Sequence, residues 1–427
     1  MTYFEQAGER MYEFASKIFP YTRSLTGQGD RDTLSDIAKY IAVPYENEVE
    51  NKIVPQLVIT DVPSGTQVFD WTVPKEWIIR EAYIEDENGN HIIDMRNNNL
   101  HVLNYSDRVD RWVDLEELKN YVYVEEGQPD AIPYVASYYK ERYGFCMSKN
   151  QLDSLKPGKY HMYVDSEFVD GNMNYAEVVI PGETDREIMF STYFCHPSMA
   201  NNECSGLALQ AELIRYVAAM PYRKYTYRFL FNPETIGAIA YLSTNNHLEH
   251  LKNKLEAGFV LSCVGDNNAY SIVESKYADT IADRALKSVI RFRENCIIYN
   301  FHDRGSDERQ YNAPGVDLPV VCYCRSKFGE FTEYHTSADD MNYVSKEGFQ
   351  GSFEVMTECE PQLGKRGLYS TISKKGTYGG IMLQRDVISY ADGKNNLFDM
   401  SERFGAPVSE IIEIIDKLVD ADLMGVD

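Results

Sequence analysis

The chain has 427 residues, long for a single domain, so two or three are expected. Its formal charge is −24, from 42 Lys and Arg against 66 Asp and Glu. That balance repels nucleic acid and anionic membrane, whose phosphates need clustered cations, while 44% hydrophobic and 25% charged residues are ordinary globular proportions.

The N-terminal "MTYFEQAGERMYEFASKIF" carries charges every few residues and does not read as a signal peptide. No apolar run reaches the roughly 18 residues of a membrane span. Phe4, Met11, Phe14, Ala15 and Ile18 recur at helical spacing, predicting a helix within Tyr3 to Phe19, and a second helix is expected from Asp32 to Ile41. From 62 to 149 the chain turns rich in Tyr, Val, Ile and turn signals, with Asn-Gly in "EDENGNHIIDM" marking a hairpin. This block reads as an inserted, mostly-β module.

From "GKYHMYVDSEF" onward, strand-like and helix-like runs alternate. "REIMFSTYFCH", "YTYRFLFNP", "AGFVLSCVG" and "LPVVCYCR" read as buried strands. Helices are expected at Gly206 to Ala219, from Ile236 to Leu242, and at Tyr277 to Phe292. Such alternation predicts a largely parallel sheet flanked by helices, with any site at the carboxyl ends of its strands. From 363 to 427 a wing-like "GLYSTISKKGTYGG" and three short helices suggest a winged helix. Residues 381–427 hold four Lys or Arg and ten Asp or Glu, a net charge of −6 and the wrong sign for a DNA-docking module. Eight cysteines without a Cys-x-x-Cys pair read as buried thiols in a reducing cytoplasm.

Polar residues stand out at the strand ends: His196 and Glu203, Glu234, Asp266, and His335 in "EYHTSADD". Asp307 and Arg309 lie in "GSDERQY". Singly, each has a structural reading: a hydrogen-bonded histidine, helix caps, a turn aspartate. Together, two histidines and several carboxylates without thiolate form a set suited to catalytic zinc, with Glu234 as a carboxylate able to move a proton.

"CHPSMANNECSG", "NPETIGAIAYL", "GSDERQY" and "EYHTSADD" resemble the zinc exopeptidases of the bacterial leucyl aminopeptidase and glutamate carboxypeptidase type. With "SGTQVFDWTVPKEW" and "NNNLHVLNYS", they resemble most a bacterial aminopeptidase-like branch sometimes linked with polysaccharide biosynthesis. The resemblance covers nearly the whole chain. It implies an α/β, phosphorylase/hydrolase-like zinc exopeptidase fold: a mixed, mostly parallel sheet flanked by helices, split over 1–61 and 150–362. The inserted mostly-β domain (62–149) and a C-terminal winged helix (363–427) complete it.

Ser198 and Asn202 stand where active exopeptidases keep an orienting and a bridging aspartate, and Thr235 replaces the second of a Glu-Glu pair. A pair of zinc ions needs the bridging carboxylate, so one ion is expected. Its ligands would come from His196, Glu203, Asp266 and His335, with Glu234 as general base and Asp307 and Arg309 toward substrate. The implied activity is hydrolysis of an amide in a small peptide or an acylamino-sugar. The alternative is a catalytically degraded binding or scaffold protein in surface-polysaccharide biosynthesis. Expected partners exclude nucleic acid and membrane. The inserted module is expected either to cap the site or to form the surface of a homo-oligomer.

Overall fold

The computed structural model describes residues 2–45, 53–359, 383, 387, 390 and 395–420. Its centre is an eight-stranded mixed sheet in the order Val58–Pro63, Asn172–Ile180, Thr226–Asn232, Glu187–Tyr193, Leu255–Leu261, Val320–Cys324, Tyr270–Val273, Cys296–Tyr299. The four strands from Thr226–Asn232 to Val320–Cys324 run parallel, and antiparallel neighbours flank them on both sides. All four expected strands fall in this parallel centre. They are runs rather than alternations because both sheet faces are covered.

Alternate side chains separate two apolar layers. Phe190, Phe229, Phe231, Phe259 and Leu261 face a layer with the helices Ala7–Ile18, Gln28–Ile41, Ser205–Ala219, Ile281–Ile290 and Lys346–Cys359. Met189, Leu230, Val260 and Val320 face the helices Ile236–Ser243 and His247–Lys254 and a second sheet. The helix Ser205–Ala219 starts unusually close to the sheet. A side chain on Gly206 would collide with Thr192 Oγ1 and Leu261 O, which explains the Ser-Gly that opens it. The strands Tyr270–Val273 and Cys296–Tyr299 and the helix Lys346–Cys359 lay outside the sequence expectation.

The second sheet is four-stranded, in the order His91–Asp94, Glu76–Asp86, Lys159–Val169, Val109–Asp114, with the expected hairpin turning at Gly89. It corrects the expected end of the insertion at 149. Lys159–Val169 pairs with Glu76–Asp86 and Val109–Asp114, and the chain re-enters the main sheet only at Asn172. The physical reason is visible in the strand itself: Tyr160, Met162, Val164 and Ser166 are buried and alternate with more exposed residues, the pattern of an antiparallel strand with one face packed. Leu397–Phe404 and Val408–Asp420 form the last two expected helices. The wing lies outside the described residues, as does the first of the three helices apart from Leu383, Val387 and Tyr390, which are helical. No helix among the described residues is long and apolar enough to cross a membrane.

Candidate active site

The loop after Glu187–Tyr193 carries Cys195 and His196 back over the sheet toward the turn Ala200–Cys204. There Glu203 holds the histidine. Its Oε2 accepts from Cys195 N at 2.6 Å, from His196 N, and faces His196 Nδ1 at 2.9 Å. The other oxygen, Oε1, accepts from Arg23 Nε. Arg23 is 0% exposed and also donates to Ile18 O (2.6 Å), His196 O (3.0 Å) and Cys204 Sγ (3.2 Å). Carboxylate and guanidinium neutralise each other, both side chains having no solvent exposure. Burial opposes the His196 imidazolium, but the carboxylates of Glu203 and Glu234 outweigh it and raise the pKa. With Nδ1–H given to Glu203, Nε2 is left facing Glu234 Oε2 at 3.7 Å.

Glu234 sits on a strained turn at the end of Thr226–Asn232. Ile236 N donates to Glu234 O at 2.6 Å across Thr235, whose φ of 56° and ψ of −55° are those of a classic γ-turn, rare for a β-branched residue. The segment "GSDERQY" clamps this turn. Asp307 accepts from Thr235 N (2.5 Å) and Asn232 Nδ2 (2.9 Å), and Ser306 Oγ donates to Glu234 Oε1 at 2.7 Å. Burial raises the Glu234 pKa against the lowering influence of His196, Ser306 and Arg309.

His335 approaches from the other side, with ring centroids 5.2 Å from His196 and 3.9 Å from the stacked Tyr334. Its Nε2 faces Asn202 Oδ1 at 3.2 Å, while Asn202 Nδ2 donates to Tyr193 OH at 2.8 Å. Burial, then the neighbouring His196 charge, push its pKa down to about 3, so it is neutral. Tyr134 lies against both histidines, at 5.0 and 5.1 Å.

The structure therefore brings His196, Glu203, Glu234 and His335 together and turns two expected residues to other work. Asp266 is a turn anchor. Its oxygens accept from Ser326 N (2.9 Å), Ser326 Oγ (2.8 Å), Asn268 N (2.9 Å) and Asn201 Nδ2 (3.0 Å), and it is fully buried. Asp307 is equally buried and belongs to the Glu234 turn rather than to a substrate surface. Arg309 is exposed, and its charge is felt at Glu234. Sequence reasoning missed Arg23, Ser306 and Tyr134. Ser306 lay inside a motif already singled out, whereas nothing local marks Arg23. Among the described residues, Cys195, His196 and Glu203 are close enough together to hold an ion, but both Glu203 oxygens already accept hydrogen bonds and burial holds the Cys195 thiol protonated.

Residues 12–365 match the family described as a domain of unknown function (DUF4910), and 352–425 match a winged helix-turn-helix family. A Clostridium acetobutylicum protein, provisionally named for polysaccharide biosynthesis with an aminopeptidase-like domain, is 38% identical over 438 residues, spanning 98% of this chain and 96% of its own. A crystal structure of a provisionally named peptidase from the same organism aligns with a TM-score of 0.89 at 37% identity, over 99% of this chain and 97% of that one. A zinc aminopeptidase from Bacillus subtilis shares the fold at 12% identity, with a TM-score of 0.59 over 83% of this chain and 94% of its own. A peptidase M28 precursor from Shewanella amazonensis does so at 11%, with a TM-score of 0.57 over 83% and 93%. The chain belongs to the DUF4910 family, with the fold of the M28 zinc aminopeptidases and a C-terminal winged helix.

Proposed function

We propose that the protein is a hydrolase of the aminopeptidase type that cleaves an amide bond with one zinc ion and Glu234 as general base. The observation that carries this reading is the facing of His196 Nε2 and Glu234 Oε2 at 3.7 Å, with Nδ1 of the same ring tied to Glu203. A metal-binding imidazole characteristically gives its other nitrogen to a carboxylate, which fixes its tautomer and aim. Glu203 supplies that carboxylate here, in place of an aspartate at Ser198.

The donor set fits one ion and not two. His196 and His335 would be the nitrogen ligands, and His335, neutral at any physiological pH, keeps a lone pair available. The group positioned to bridge a second ion is the neutral amide of Asn202, and Glu203 and Asp266 are committed elsewhere. An ion held there would supply Lewis acidity toward the carbonyl oxygen of the substrate. Glu234 takes a proton from the attacking water and returns it to the leaving nitrogen as the C–N bond breaks. Burial raises its pKa toward the working range, and the Ser306 hydrogen bond on Oε1 leaves Oε2 free for the proton. The rings of Tyr134 and Tyr334 exclude solvent from the histidine pair. Arg309 engages an anionic group of the substrate, a small peptide or an acylamino-sugar.

The test combines elemental analysis of protein purified without added zinc with turnover of a broad panel of aminoacyl and N-acyl-amino-sugar amides. About one zinc per chain is expected, with turnover lost in Glu234→Gln while the zinc is retained. Substoichiometric metal and no hydrolysis of any amide would overturn the proposal. That outcome favours a second reading, a binding protein in surface-polysaccharide assembly. The amide at Asn202 and the name of the Clostridium relative support that alternative.

A further inference from the structure

Between the end of the second-sheet strand Lys159–Val169 and the loop that carries Tyr138 lies a cavity of about 430 Å³, within the range of small-molecule sites. Its walls are aromatic. Tyr105 stands 5.6 Å from Tyr138 at 74° and 5.0 Å from Phe168 at 60°, so the rings form angled sides of a box. Two of these rings have their hydroxyls already committed. Tyr105 donates to Lys75 O, and Tyr138 bonds Tyr134 OH at 2.8 Å and Cys195 O at 3.4 Å. They therefore offer the cavity ring faces rather than hydrogen bonds. Tyr105 holds a φ of 68°, a conformation costly for an aromatic residue and kept where the surroundings require it. Tyr139, 75% exposed, flanks the opening.

Besides Pro74 and Ser137, the remaining lining is charged and balanced: Lys75 and Lys140 against Asp107 and Glu141. Among the described residues, none of these four side chains makes a hydrogen bond or ion pair, although burial and Glu141 raise the Asp107 pKa. A ligand with one net charge would meet repulsion from half of this set. A neutral ring with hydroxyls around its edge meets donors and acceptors of both kinds, and its C–H faces pack on the aromatic walls.

We infer that the cavity bounded by Tyr105, Tyr138, Tyr139 and Phe168 binds a neutral pyranose ring, with Lys75, Asp107, Lys140 and Glu141 contacting its hydroxyls. This goes beyond the proposed hydrolysis and does not depend on it. Tyr138, a wall of this cavity, is one hydrogen bond from Cys195 O, so the cavity adjoins the loop that carries His196.

The test uses the full-length protein carrying Glu234→Gln. It is titrated with glucose, galactose, mannose, N-acetylglucosamine and their β-1,4-linked dimers, followed by calorimetry and saturation-transfer NMR. Saturable binding of at least one sugar is expected, weakened about tenfold or more by Tyr139→Ala and by Phe168→Ala. Tyr139 is too exposed for its replacement to unfold the chain, and circular dichroism checks Phe168→Ala. The inference is overturned if no sugar binds up to its solubility limit, if Tyr139→Ala leaves the affinity unchanged, or if only a zwitterionic dipeptide such as alanyl-alanine binds.

Discussion

Replacing Arg23 by methionine tests the frame that aims His196. Methionine keeps the buried bulk but removes the donors to Glu203, Ile18 O, His196 O and Cys204 Sγ. Glu203, 1% exposed, would then hold its charge against only the N–H groups of Cys195 and His196. Removing one partner of a buried ion pair costs about 3–5 kcal/mol, because the remaining charge is uncompensated. The carbonyl of His196, left without its donor, adds about 1 kcal/mol, whereas Ile18 O keeps the hydrogen bond from Tyr21 N. The sum approaches the whole stability of many domains, about 5–15 kcal/mol. Taking out both charges should cost less: Arg23→Met/Glu203→Gln is expected to be about 2 kcal/mol more stable than Arg23→Met alone. Urea unfolding, followed by circular dichroism and by tryptophan fluorescence, measures both variants. Two probes are needed because a chain with two sheets need not unfold in one step. If the double variant is no more stable than the single one, Glu203 is not held there as a charge by Arg23, and the account of His196 orientation fails.

Three further outcomes follow from the site. After dialysis against a chelator and re-addition of zinc, His196→Ala and His335→Ala should lose the ion, while Asp266→Asn keeps it and instead lowers the unfolding midpoint; elemental analysis showing the opposite pattern returns Asp266 to the ligands. Thr235→Gly should unfold no more easily than the parent, because it relieves a γ-turn strain of roughly 1–3 kcal/mol, yet turn over amides more slowly as the aim of Glu234 loosens; unchanged turnover would mean the turn geometry is incidental. Burial pushes both Asp307 and Asp339 up to about 7, and raises Asp30 and Glu308 as well. At these four carboxyls the folded state holds extra protons from about pH 4 to 7, outnumbering the one that His335 gives up, so their stabilisation is full below the unfolded pKa and is lost as pH rises through about 7. The melting temperature should fall across that window, and Asp339→Asn should flatten the fall; a rise would contradict the buried neutral carboxyls.

The parallel centre of the sheet was legible because doubly covered strands must be apolar on both faces, and the flanking helices announce themselves by period and by the Ser-Gly start. The partner of Lys159–Val169 was not legible. Its alternation marks one solvated face but says nothing about which sheet it joins, and the next strands belong to another. The site divided in the same way. His196 and Glu234 were singled out by their places just past strands and His335 by the motif that carries it, and the structure brings the three together. The spacing from His196 to Glu203 did not say whether the carboxylate binds an ion or orients the ring, because the answer depends on Arg23, 180 residues earlier. Asp266 resembles a ligand in sequence and Asp307 a substrate contact, since an acid that anchors a turn looks the same there as one that binds. Only the count of donors on their oxygens separates the two roles.

That count also governs what chemistry the site can support. Two of its carboxylates stand one layer back: Glu203 behind His196, and Asp339 beneath Asn202, accepting from Asn201 N at 2.6 Å and Asn202 N at 2.9 Å. Glu203 is neutralised by Arg23, and Asp339 is held near neutrality by burial. Glu234 is the half-buried carboxylate left facing the histidine pair. Two divalent ions at close range repel strongly and need a shared anion between them, and the amide at Asn202 carries no charge to share. Neutral His335 and a single carboxylate facing His196 are consistent with the proposed single ion. Asn202→Asp puts the missing charge back 3.2 Å from His335 Nε2. The substitution should raise zinc uptake from about one to about two per chain; uptake that stays at one would place the limit on a second ion elsewhere than in the bridging charge.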